Sequence, residues 1–206
     1  MNFLAHCLLS CDDEYVLVGN FMADFIRNRD LDALPPRVRQ GVALHRLIDR
    51  YTDNHPAVRR STQRLQPYHR KYAPVVVDVY YDHLLANYWN RYSPESLRRF
   101  AERQYHLLEK HRPLMPPRLR ARTAGMIAGD WLVQYGTEAG LAFTFAKLRE
   151  RLSRPEQLNG VMPHLRAHAA GLTTDFHQFF PQLAAYVRRR CLHLSEGPTQ
   201  QLSEEE

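Results

Sequence analysis

Aspartates and histidines recur at one-turn spacing in the first 83 residues, inside stretches that are otherwise apolar. His45 and Asp49 are four residues apart, so on a helix they project from one face. Asp78 and Asp82 repeat that spacing, with His83 directly after them. Asp24 sits in Gly19-Asn20-Phe21-Met22-Ala23-Asp24-Phe25, and His6 in Phe3-Leu4-Ala5-His6-Cys7-Leu8-Leu9. A carboxylate on an apolar helix face is unfavourable to bury unless it is paired or ligates a metal. Helices that each offer one or two such groups would assemble a mixed imidazole–carboxylate site, a donor set that suits Mn2+, Fe2+, Zn2+ or Mg2+. A metal held in this way lowers the pKa of bound water and neutralises phosphoryl oxygens, which points to phosphoester hydrolysis. Each residue also has a plainer reading. His6 fits a satisfied core histidine, Asp49 a pair with Arg46 or Arg50, Asp78 a pair with Arg70 or Lys71, and Asp24 a pair with Arg27. Asp53 and Asn54 before His55-Pro56 fit turn or capping residues. Spacing alone leaves both readings open.

These groups need helices to position them, and the apolar periodicity supplies helices throughout. The pattern predicts helices over about 2–10 and 13–27. A third opens at Pro35-Pro36 and ends near Thr52, because proline is tolerated in a first turn where its missing N–H has no helical partner. His55-Pro56 starts a short helix, and Pro74 a long one over about 75–91. Ser93-Pro94-Glu95 reads as N-cap, N1 and acidic first turn of a helix to about His111. Further helices are expected at roughly 117–134, 137–152, 155–170 and 172–193. Strand patterns are absent, so the fold class is all-α: a single helical bundle over 1–194, followed by an acidic tail, 195–206, expected to be disordered. Trp89 and Trp131 read as core anchors. His106, His111, His164, His168, His177 and His193 fall on polar faces or helix ends and read as surface. There is no G-x-S-x-G nucleophile elbow, no P-loop and no G-x-G-x-x-G.

Composition narrows the class. The 206 residues favour one domain with a real core, and 44% hydrophobic with 24% charged residues is ordinary for a globular chain. No run approaches the roughly 20 apolar residues of a membrane span, and the start lacks the basic region of a secretory signal. Cys7, Cys11 and Cys191 are too few and too unevenly spaced for a disulfide framework, so they read as buried or incidental thiols of a reducing cytoplasm. The net charge of +6 is concentrated between Arg37 and Lys71, a segment carrying nine Lys/Arg against Asp49 and Asp53. Such a segment is a solvated face or a docking surface for an acidic partner.

Taken in order, Met1-Asn2-Phe3-Leu4-Ala5-His6, Gly19-Asn20 with Ala23-Asp24-Phe25, Gly41 with His45-Arg46 and Ile48-Asp49, Thr52-Asp53 with His55-Pro56, and Asp78 with Asp82-His83 and Trp89 resemble the acyl carrier protein phosphodiesterases. Beyond residue 90 the likeness thins to Trp131-Leu132-Val133 and Phe179-Phe180-Pro181. The resemblance implies a divergent HD-type phosphohydrolase fold and a divalent metal, usually Mn2+. It also implies cleavage of the phosphodiester between 4′-phosphopantetheine and the serine of holo acyl carrier protein. None of the 11 histidines precedes an aspartate, so the contiguous dyad of ordinary HD enzymes is replaced by Asp82-His83 and a split His45…Asp49.

On this basis His6, Asp24, Asp78, Asp82 and His83 are the expected metal ligands. His45 is expected as general acid, Arg46 as stabiliser of the phosphoryl charge, and Asp49 as a further ligand or support. Arg37, Arg39, Arg59, Arg60 and Arg64 are expected to dock the acidic carrier protein, with neither nucleic acid nor membrane as partner. Two rival readings are a phosphohydrolase of nucleotides or small phosphodiesters on the same scaffold, and a non-enzymatic helical module that binds an acidic partner.

Overall fold

The computed structural model describes residues 2–195, and the acidic tail beyond Ser195 lies outside the described residues. Among the described residues there are helices and no strand, as the periodicity predicts. The helices are α1 (Phe3–Leu8), α2 (Glu14–Met22), α3 (Pro36–Asn54), α4 (Pro56–His69), α5 (Ala73–Asn87), α6 (Leu97–Lys110), α7 (Pro117–Ala128), α8 (Trp131–Gln134), α9 (Glu138–Arg149) and α10 (Val161–Ser195). Local chemistry sets their starts. The Asn2 side chain accepts from the Phe3 N–H, and Asp13 accepts from Tyr15 and Val16, filling donors that a helix N-terminus leaves open. Pro36 opens α3 and Pro56 opens α4.

The tightest crossing is that of α2 on α3, at two glycines. A Cβ on Gly19 would fall 2.0 Å from the Val38 carbonyl oxygen, and one on Gly41 would fall 2.2 Å from that of Val16. The two backbones therefore touch, which side chains would prevent. This crossing sets Asn20 and Asp24 against His45 and Asp49.

α10 lies along α3, α4 and α5 and seals the core with Phe176, Phe179 and Phe180, all fully buried. Each such ring contributes about 1.5–3 kcal/mol of burial energy.

The elements depart from expectation in several places. The 155–170 and 172–193 segments were expected as separate helices, yet α10 runs unbroken through Gly171. That glycine is a packing device: a Cβ there would meet the Arg64 guanidinium at 2.9 Å. The expected 117–134 helix is instead interrupted at Gly129-Asp130, where Asp130 takes φ 48°. Ser93 does not cap α6; Ser96 does, and Ser93 holds a turn by accepting from the Glu95 N–H. The cysteines correct the thiol reading. Cys11 and Cys191 form a disulfide that joins the α1–α2 turn to the end of α10, and only Cys7 is a free, buried thiol.

Candidate active site

Four helical segments converge on one cavity of about 240 Å³ lined by His6, Asn20, Asp24, His45, Asp49, Asp53 and Asp78. His6 comes from α1, Asn20 from α2, Asp24 from the turn after it, His45, Asp49 and Asp53 from α3, and Asp78 from α5. The His6 and His45 rings stack with centroids 4.1 Å apart. Asp49 lies beyond both, with one oxygen 3.2 Å from His6 Nε2 and the other 3.0 Å from His45 Nε2. Asp24 stands at the exposed rim, 3.2 Å from His45 Nε2.

The two imidazoles are oriented by one buried amide. Asn20 donates from Nδ2 to the His6 carbonyl at 2.9 Å and to Ser10 Oγ at 3.0 Å. Its Oδ1 is therefore the atom that faces the rings, 2.7 Å from His6 Nδ1 and 3.2 Å from His45 Nδ1. An amide oxygen only accepts, so both Nδ1 atoms carry hydrogen, and both Nε2 atoms turn toward the carboxylates.

Burial holds His6 below its ordinary value despite Asp49, so its imidazole is neutral at pH 7 and its Nε2 presents a lone pair. That buried Nε2 makes no hydrogen bond. Although it lies 3.2 Å from Asp49 Oδ1, the proton on Nδ1 leaves it nothing to donate. A lone pair facing a carboxylate oxygen is an arrangement that a cation between them reconciles. Burial also lowers His45, but hydrogen bonds and charge from Asp24 and Asp49 outweigh it and push the imidazole up to about 9. Asp49 is desolvated too, and the hydrogen bond from His45 above all still holds it far below the usual carboxylate range.

The donor set fits a divalent metal. Ligand atoms of His6, His45 and Asp49 lie within 4.8 Å of one another. Asp24, Asp53 and Asp78 bring the cavity to four carboxylates against two imidazoles. Such a field favours a cation.

Of the expected ligands, the structure brings together His6, Asp24 and Asp78, and joins His45 and Asp49 to them. It does not bring Asp82 or His83, and both need correction. Asp82 is fully buried, its oxygens accepting the backbone N–H groups of Asn2 at 3.3 Å and Leu4 at 2.8 Å. It anchors the N-terminus of α1, where backbone donors favour an anion. Burial pushes its carboxyl up to about 7, against those backbone bonds. The Nδ1 of His83 lies 2.7 Å from the Tyr135 carbonyl, to which it donates, tying α5 to the turn after α8. Arg46 is exposed and donates to Asn28 at 2.8 Å, outside the cavity lining.

The expected docking arginines are partly engaged. Arg60 and Arg64 pair with buried Asp175, and Arg37 pairs with Asp13. Arg39, 3.6 Å from the exposed Asp32, and Arg59, which donates to Asn54 at 2.9 Å, are exposed at the surface. His111, expected on the surface, is buried against Glu14 at 3.0 Å. Spacing arguments missed Asn20, although a polar amide in an apolar helix is the same signal that flagged Asp24.

Fold and site together define an all-helical protein with an imidazole–carboxylate cluster of metal-ligating type at the meeting point of its N-terminal helices. The family model described as "Acyl carrier protein phosphodiesterase" matches residues 1–183. The chain is 34% identical over 193 residues to the acyl carrier protein phosphodiesterase of Serratia proteamaculans, covering 93% of this chain and all of that one. The same figures hold for the acyl carrier protein phosphodiesterase of Escherichia coli O157:H7. No solved structure matches. The chain belongs to the acyl carrier protein phosphodiesterase family. Among the described residues no helix is long and apolar enough to cross a membrane.

Proposed function

We propose that this chain hydrolyses the phosphodiester between 4′-phosphopantetheine and the serine of holo acyl carrier protein, using a divalent metal, Mn2+ being the first to test. The products are apo carrier protein and 4′-phosphopantetheine. Beyond family membership, the observation that carries the metal reading is the neutral His6, whose buried Nε2 has no hydrogen bond and faces Asp49. His6, His45 and Asp49 would hold the metal, which when bound supplies charge neutralisation at the phosphoryl oxygens and a more acidic water. We read His45 as a ligand rather than the acid, because it shares both Asn20 and Asp49 with His6.

Asp24 stands at the rim, where in the metal-free protein the hydrogen bond from His45 is the largest influence holding it ionised; with His45 on a metal, the cation would take over that part. Asp24 is placed to accept the proton of the attacking water. Asp53 lines the same cavity. Partial desolvation, Asp78 and Asp49 raise its carboxyl above its ordinary value, and of the lining carboxyls we read it as the acid for the departing serine oxygen. The acidic carrier protein would approach over the Arg39 and Arg59 side of the molecule.

The test is incubation with holo acyl carrier protein and Mn2+, with and without chelator, read by intact mass. Loss of the phosphopantetheine arm that chelator abolishes is the expected result. Equal loss in chelator overturns the metal. No loss with holo carrier protein, alongside turnover of nucleotides, overturns the substrate.

A further inference from the structure

A second cavity of about 220 Å³ opens beside the first and shares Asn2, Asp24 and Asp78 with it, so the two adjoin along those residues. Its character is different. Val79, Trp131, Phe143 and Leu148 give it apolar walls, and its charged side chains besides the shared aspartates are Arg122, Lys147 and Arg151. Trp131 is only half-buried and Phe143 is 49% exposed, so the rim presents large apolar surface that the fold leaves uncovered.

Arg122 marks the seam. Its guanidinium lies over the ring of Phe3, 5.0 Å from the centroid, and 5.9 Å from that of Phe25. Phe3 itself lines the first cavity. The Arg122 Nε is buried without a hydrogen-bond partner, and among the described residues the side chain makes no ion pair. The guanidinium is partly drawn from water, and Asp24 lines the same groove without pairing with it, so its donors are kept for an anionic ligand.

Resting on the function proposed above, we propose that this second groove seats the 4′-phosphopantetheine arm and that Arg122 grips the phosphodiester at the seam. The ligand's chemistry matches the order of the groove. Its anionic phosphodiester belongs beside both the cluster and Arg122. The branched aliphatic carbons and amide-linked chain then run along Val79, Trp131, Phe143 and Leu148. Arg122 thereby takes the charge-stabilising place expected of Arg46. A guanidinium offers two parallel donors to the non-bridging oxygens, which an ammonium does not.

The experiment compares wild type, Arg122→Met, Arg122→Lys and Thr144→Trp, the last placing a large ring in the groove. Calorimetry measures binding of free 4′-phosphopantetheine and of pantetheine, which lacks the phosphate. Elemental analysis reads metal content, and steady-state kinetics read turnover of holo carrier protein. Arg122→Met is expected to weaken 4′-phosphopantetheine by about 10- to 100-fold, leave pantetheine nearly unchanged and keep the metal, with partial rescue by Arg122→Lys. Thr144→Trp is expected to weaken both ligands; if it does not fold, Val75→Trp fills the groove from the α5 side. Wild-type turnover with variants that bind both ligands and turn over like wild type overturns the groove and leaves the function standing. A wild type that neither cleaves holo carrier protein nor binds 4′-phosphopantetheine overturns the function and the groove together.

Discussion

Two polar knots hold this helical protein together, and they are built to opposite rules. In the first, Asp175 of α10, 3% exposed, meets α4: one oxygen accepts from Arg60 Nε at 2.9 Å, the other from Ser61 at 3.1 Å and Arg64 at 3.4 Å. Tyr81 of α5 donates to Ser61 at 2.9 Å and closes the set. Cations surround an anion, and both carboxylate oxygens are engaged. In the second, carboxylates outnumber imidazoles, a buried ring nitrogen is left unpaired, and the cavity opens to solvent. The closed knot ties helices together. The open one keeps donor atoms for something that is not protein.

Exchanging the insults should separate them most sharply. Asp49→Ala should cut turnover by about 10³-fold or more and abolish metal retention, with a loss of stability smaller than that of Asp175→Ala, because Asp49 pairs with His45 but is far more exposed than Asp175. Asp175→Ala should do the reverse. It should lower stability by about 3–5 kcal/mol, since it strands buried partners, while turnover per folded molecule persists. Thermal melts, elemental analysis and kinetics on the two proteins decide it. A large stability loss in Asp49→Ala would mean that the second knot is structural after all.

A smaller effect comes from Asn20, which touches no substrate and sets both ring orientations. Asn20→Ala should weaken metal affinity by about 10- to 100-fold, the range typical of residues that orient ligands. Competition with a chromophoric chelator measures it, and an unchanged affinity would remove Asn20 from the site.

The smallest effect is in pH. His45 is raised from 6.5 to about 9 in the folded metal-free protein. Its contribution is therefore fully present below 6.5, and it declines as pH rises through 9, by at most about 1.4 kcal/mol per pH unit. His6, lowered by burial, has the opposite sign and acts below the ordinary imidazole value of 6.5. Calorimetry across that window should show declining stability for the metal-free protein and a flatter profile with metal, because a ligating imidazole holds no proton to lose.

Much of this was legible in the sequence. Helical spacing placed His45 and Asp49 on one face, and apolar surroundings singled out His6 and Asp24. The same two signals misplaced Asp82 and His83, for a physical reason. Spacing fixes the side of a residue's own helix but not the neighbour that side meets. One turn along α5 from Asp78, the neighbour changes from the cavity to the N-terminus of α1. Arg122 carried no local mark at all, because its role depends on Phe3 and Phe25 packed against it from far upstream. The Cys11–Cys191 bond, with a sequence separation of 180, was equally invisible to arguments about spacing.

The contact of Gly19 with Gly41 bears on how the chain can change over time. Because α2 and α3 meet backbone to backbone, the gap between Asn20 and His45 is set by the main chain and not by interlocking side chains. Leucines and phenylalanines elsewhere in the core can then drift in size, altering how firmly the molecule holds together, without resizing the cavity. Adding even one methyl group at either glycine would do the converse, forcing the helices apart and detuning the site in a protein that otherwise stays folded.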